Sequence, residues 1–251
     1  MSSIAISSIV FACVFASALI GMALRSALPE SHRNSESKSV VQLGMGLIVT
    51  LVAMVLGLLV ASAKGYYDMQ TTELTELSTN VVLLDRVLAH YGSETEEVRK
   101  TLRGAVVEVL DQVWPNASSG QSLSNAKNDA PESLYDKVQQ LSPKDDEQRQ
   151  LKSQALSILT GLGHLRWLMY EQKSHSPTML VIAVLVFWLM AIFISFGLFA
   201  PPNATVVVSL LVSALSVSGA ILLMLEMYRP YAGLIHISDA PLRAALAHLG
   251  Q

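Results

Sequence analysis

Residues 40–63 run for 24 positions without one Asp, Glu, Lys or Arg. As a helix rising ~1.5 Å per residue, such a run is about 36 Å long and exceeds the roughly 30 Å hydrocarbon core of a bilayer. The run does not stop at its polar boundary. From Tyr66 to Tyr91 the chain turns polar without a proline, and Leu74, Leu77, Val81, Leu84 and Leu88 recur at spacings of three and four. That is one face of an amphipathic helix. The expectation is a membrane helix that continues into water and begins a soluble helical domain.

Three further runs are of spanning length. Residues 2–24 carry no charge, and residues 174–225 contain no Asp, Glu, Lys or Arg but are divided by Pro201-Pro202-Asn203, a turn signal. Only 15% of the residues are charged, against about 25% in soluble domains. Four spans are therefore expected, at 3–24, 40–63, 178–199 and 204–225. The first lacks a positive flank and a small-residue cleavage site, so it is read as an uncleaved helix rather than a signal peptide. The expected fold is an all-α integral membrane protein. Two transmembrane hairpins (1–63 and 176–225) flank a soluble α-helical insertion (64–175), and a tail (226–251) follows.

Within the insertion, Gly92 is placed to end the first helix. Ser93 and Glu96 have the spacing of a capping box for a second helix, stopped by Pro115. Residues 115–130 are small and polar and read as a surface loop; Asn116-Ala117-Ser118 matches a glycosylation acceptor there. Pro131 opens a short helix to Leu141. A longer helix after Ser142-Pro143 carries Leu151, Ala155, Ile158, Leu162, Leu165 and Met169 in heptad-like steps, a seam for the two preceding helices. Asn80 lies near the apolar face of its helix and is the candidate buried hydrogen-bonding residue. In the tail, Ile235–Ser238 alternates like an extended segment, and Asp239-Ala240-Pro241 can cap a last short helix.

The chemistry of enzymes is not visible. There is no G-x-S-x-G, H-E-x-x-H, Walker A or dinucleotide fingerprint, the six histidines are scattered, and Cys13 is the single cysteine. No catalytic activity, cofactor or metal is expected. A net charge of −3 gives no reason to expect nucleic acid. No span contains an ionisable carboxylate, Lys or Arg, which argues against ion-coupled transport through intramembrane carboxylates. Small residues stand out instead. Ala53, Gly57 and Ala61 share one face of the second span, and Ser209, Ser213 and Ser216 form a stripe with Ala220 on the fourth. Such faces serve close helix packing in lipid or line a narrow path, as Gly44, Gly46 and Gly57 could.

The tail elements Pro230-Tyr231-x-Gly233, Ile235-x-Ile237-Ser238 and Pro241-Leu242-Arg243 resemble the bacterial bestrophin-like membrane family, as does the stretch from Tyr67-Asp68 through Leu83–Gly92. With the four-span plan, the resemblance covers nearly the whole chain. It implies a ring-shaped homo-oligomer in the bilayer, by analogy with bestrophin anion channels whose second helix lines the pore. The pore-lining candidates are then Thr50, Gly57, Ser62 and Lys64, and the family-motif residues are Pro230, Tyr231, Gly233, Ser238 and Pro241. Asp68 and Glu73 near Lys64 would oppose its pull on anions. Tyr231-Ala232-Gly233 stands where bestrophins have Pro-Phe-Gly, and only Asp239 follows, which speaks against calcium control. The absence of aromatics from the second span speaks against an aromatic neck. By the same analogy the insertion and both termini are cytoplasmic and the membrane is the cell membrane. The rival expectation is a non-conducting scaffold or sensor that presents the insertion to a partner protein.

Overall fold

The computed structural model describes residues 2–27, 35–114, 130–171, 179–231 and 233–250. Its elements are α1 (Ser3–Ala27), α2 (Ser35–Tyr91), α3 (Glu96–Val113), α4 (Ala130–Gln139), α5 (Asp146–Glu171), α6 (Met179–Phe199), α7 (Ala204–Met227) and α8 (Ala240–His248). A single 3-10 turn, Ser93–Thr95, precedes α3, and no strand occurs among the described residues. The expected loops across 28–34 and 115–129, with the Asn116 acceptor, lie outside the described residues. So does the side chain of Met169.

The chain divides into two compact units. Unit 1 comprises 1–67 and 175–235, and unit 2 comprises 68–174 and 236–251. The sequence-derived tail is thus divided between them.

Unit 1 holds four apolar helical stretches, each long enough to cross a membrane: Ser3–Arg25, the early part of Ser39–Tyr91, Met179–Phe199 and Ala204–Met227. α1 packs against both α6 and α7. Its inner face is Ser3, Ser7, Val10, Val14, Ser17, Ala18 and Gly21, a helical period of buried positions. Against it lie Leu185, Leu189, Ile192 and Phe193 of α6 and Ala214, Ile221 and Met224 of α7. In lipid there is little hydrophobic drive between helices, so contact must come from close packing and hydrogen bonds. Two glycines supply the first. A Cβ on Gly21 would meet the Ile194 carbonyl oxygen at 2.2 Å, and one on Gly197 would meet the Ala18 carbonyl oxygen at 2.1 Å. Ser7 supplies the second, its Oγ donating to the Ser218 carbonyl at 2.9 Å. Arg25 donates to the carbonyl of Ala200, satisfying an acceptor that the end of α6 leaves without a helical partner. Asn203 caps α7, its Oδ1 accepting from Val206 N at 3.1 Å.

Unit 2 is built on one hydrophobic core. Leu77, Val81, Leu84 and Leu88 of α2 join Val98, Leu102, Val106 and Leu110 of α3, Leu134 and Val138 of α4, Ala155, Leu159 and Leu165 of α5, and Leu242 and Ala245 of α8. Each buried leucine contributes about 1.5–3 kcal/mol relative to exposure. The predicted seam of α5 packs into this core, with Ala155 and Leu165 buried and Leu151, Ile158 and Leu162 half-buried.

Several local expectations change. Gly92 does end α2, at φ 127°, where a side chain is strained. The Ser93–Glu96 capping box does not form: α3 starts two residues later, with Thr95 at its cap and no side-chain cap bond. Thr95 is buried and serves α2 instead, its Oγ1 lying 2.5 Å from the Leu88 carbonyl and 2.8 Å from that of Gly92. The helix after Ser142-Pro143 begins at Asp146, with Asp145 Oδ1 accepting from Gln148 N at 2.7 Å. Residues 235–238 form no strand. Asp239 makes no cap bond to α8; Ser238 Oγ accepts from Ala240 N at 3.2 Å, and Asp239 pairs with Arg243.

Candidate functional site

The membrane half of α2 differs from the other apolar helices. Of residues 40–63, only Val52 and Ala63 are buried. Val41, Met45, Ile48, Val55, Leu56, Leu59 and Val60 are half-buried, and with those two they form a single stripe. The stripe joins the unit 1 cluster through Ile48, Val52, Val55, Leu56, Leu59, Val60 and Ala63. The rest of this stretch is exposed: Gly46, Thr50, Ala53, Gly57, Ala61 and Lys64 form one strip of it, and Leu43, Leu47, Met54 and Leu58 lie beside that strip. Steps of four and three keep the strip's residues within an arc of about 80° along the helix.

Thr50, Gly57 and Lys64 are spaced by sevens, two turns each, so three of the four predicted pore-lining residues share this face. Ser62 stands about a third of a turn away. It accepts from Tyr228 Oη at 3.2 Å, and the Tyr228 ring packs against Tyr66 at 5.6 Å between centroids. Ser62 is therefore committed to α7. Thr50 Oγ1 donates to the Gly46 carbonyl at 2.9 Å, satisfied inside its own helix. A side chain begun at Gly44, Gly46 or Gly57 would meet nothing within 4 Å beyond the adjoining backbone of its own helix. Within one chain these glycines pack against nothing, and the Ala53–Gly57–Ala61 face takes no part in packing. The close-packing glycines are Gly21 and Gly197, which the sequence reading did not single out. The serine stripe of α7 likewise faces out: Ser209, Ser213 and Ser216 are exposed, while Ala214, Ser218 and Ile221 face the core.

Beyond Lys64 the charges of α2 take different faces. Asp68 is exposed, whereas Glu73 is buried and accepts from Gln70 Nε2 at 3.2 Å. Glu73 is nine residues from Lys64, half a turn away in phase, and does not share its face. Asn80 is half-buried rather than buried; the buried polar residues of this stretch are Gln70, Glu73, Ser78 and Asp85. Asp85 holds Arg99 in a two-pronged ion pair, Nε–Oδ1 2.7 Å and Nη2–Oδ2 2.9 Å. Burial pushes the Asp85 carboxyl up, but the Arg99 and Gly250 N–H bonds and the charges of Arg99 and Arg86 outweigh it, leaving it below the ordinary carboxylate range.

The family-motif residues surround a turn after α7. Pro230 is buried, Tyr231 is half-buried, and Gly233 has φ 118°. Glu226, buried at the end of α7, accepts from Leu234 N at 2.5 Å, and its carboxylate lies where a Gly233 side chain would be. Positive φ and this contact together call for glycine at 233. Glu226 escaped the sequence reading because its partner lies across the turn rather than on its own helix. Ser238 and Pro241 flank the start of α8, in unit 2. Among the described residues no group of three His, Cys, Asp or Glu could hold a metal ion.

Four apolar helices of spanning length, one with an unused small-residue face, define an α-helical membrane protein. A family model for the Bestrophin-like domain matches residues 12–242, and the chain belongs to that family. No curated relative and no solved structure matches the chain.

Proposed function

We propose that the protein assembles with copies of itself into an ion channel, anions favoured, with α2 lining the axis. Thr50 and Gly57 form the wall, and Lys64 sits at the mouth; Ser62, bonded to Tyr228, lies off this face. The observation that carries this reading is the exposed small-residue strip Gly46–Thr50–Ala53–Gly57–Ala61–Lys64, turned away from the stripe that packs within unit 1. Small residues on that face leave room for a passage between symmetric copies, and a ring of Lys64 ammonium groups attracts anions. Glu73, lying half a turn away in phase, leaves Asp68 as the carboxylate next to Lys64 on this side. The protein lies in the cell membrane as two transmembrane hairpins, with unit 2 and both termini cytoplasmic. It works without catalysis, cofactor or nucleic acid.

The test is chloride flux from liposomes containing the purified protein. Flux is expected, with Lys64→Glu reversing or abolishing the anion preference. Liposomes that stay tight at every voltage and pH would overturn the reading. The second reading is a non-conducting scaffold or sensor, supported by the self-contained core of unit 2. A stoichiometric protein partner captured on unit 2, with no flux, would select it.

A further inference from the structure

We infer that residues 236–250 act as a strap, clasped into unit 2 at each end by side chains of the α2–α3 segment and able to leave it as one piece. At the leading end, Trp114 Nε1 donates to the Ile237 carbonyl at 3.0 Å. At the trailing end, Arg103 Nη1 donates to the Leu249 carbonyl at 3.1 Å, and Asp85 Oδ2 accepts from Gly250 N at 3.3 Å. Between the clasps, Leu242, Ala245 and Leu249 enter the core at spacings of three and four. The partners are 123, 146 and 165 residues apart in the chain, so the strap is held entirely by long-range contacts.

Two features make the strap separable. α8 has nine residues, too few to persist as an isolated helix, so docking and helix formation are one event. The second feature is what remains when the strap leaves. Asp85 keeps both bonds to Arg99, so no buried carboxylate is stranded. Arg103 is already exposed and Trp114 half-buried, so water replaces their lost acceptors. The α2–α3 ion pair therefore closes with or without the strap, and opening here costs apolar burial and the small net worth of the clasp bonds. Removing α3 instead would leave Asp85 without its guanidinium. The strap is the part of unit 2 poised to open first. This inference is independent of ion conduction.

Hydrogen exchange of the full chain in lipid nanodiscs, read by mass spectrometry, tests it. In the unaltered protein, amides of 242–249 are expected to exchange faster than those of 81–88 and 98–110. Arg103→Met removes one clasp and should speed strap exchange about fivefold, the loss of one net hydrogen bond, without changing 81–88 or 98–110. Lys100→Met, on the same helix but paired with Glu96 at 3.1 Å, should change neither. Trp114→Phe, which keeps an aromatic ring though a smaller one and removes the donor, should reproduce the Arg103→Met pattern if that variant does not fold. Equal exchange of strap and core in the unaltered protein overturns the inference. So does equal acceleration of both, or no response to either clasp variant.

Discussion

α1 and the membrane half of α2 are near twins in composition, each an uncharged run of more than 20 residues carrying glycine and alanine. They use their small residues in opposite ways. On α1, Ala18 and Gly21 are pressed against the backbone of α6, close enough that a single added carbon has no place. On α2, Gly46 and Gly57 touch nothing within the chain. A glycine in lipid thus marks a surface that must be approached closely, and the approaching body is either the same chain or something outside it. The sequence carries the small residue; only the fold says which body approaches.

The sharpest break of this comparison is Gly21→Leu. Its Cβ alone collides with backbone rather than with a movable side chain, so α1 must separate from α6. We expect a loss of about 3 kcal/mol or more, read as a large fall in thermal stability in detergent. Gly57→Leu is the mirror experiment. It should leave the melting temperature of a single chain nearly unchanged, because open space receives the side chain, yet lower liposome flux about tenfold if the face lines a passage. Equal destabilisation by the two substitutions would erase the distinction.

Asp85→Asn probes unit 2. Weakening a charge-assisted, two-pronged bond should cost about 2 kcal/mol at neutral pH, measured by urea titration. Because the folded carboxyl lies below its ordinary value of 3.8, its stabilisation is complete above that pH and is lost as pH falls through the lower folded value. The wild-type and variant curves should begin to converge only below about pH 4. The smallest effect is expected from Tyr228→Phe. It removes the bond to Ser62 but keeps the ring on Tyr66, for about 0.5–1 kcal/mol in the same detergent melt.

What was legible followed from periodicity and from charge. The four apolar runs, the passage of α2 into an amphipathic face, its stop at Gly92 and the seam of α5 all depend on residues within a few turns of one another. What was not legible depends on partners distant in the chain. The Ser93–Glu96 box does not form, and Thr95, at the start of α3 in its place, satisfies Leu88 in the preceding helix. The strap, Glu226 beneath Gly233 and the Gly21–Gly197 crossing have no local signature. Of the site candidates, Thr50, Gly57 and Lys64 prove to share a face by their heptad spacing, a regularity present in the sequence. Ser62 turns toward Tyr228, which spacing alone does not reveal.

The Thr50 hydroxyl has a consequence for any ion that meets it. Its proton is already engaged by the Gly46 carbonyl, so the atom turned outward is an oxygen with free lone pairs. In the proposed channel that rotamer would present electron donors to the passage, welcoming to a cation and indifferent or hostile to chloride. An anion would gain the hydroxyl's help only by drawing the proton away from the helix, whereas Lys64 needs no such rearrangement. Discrimination between the two signs of charge would then be decided by which of these two residues a dehydrating ion reaches first.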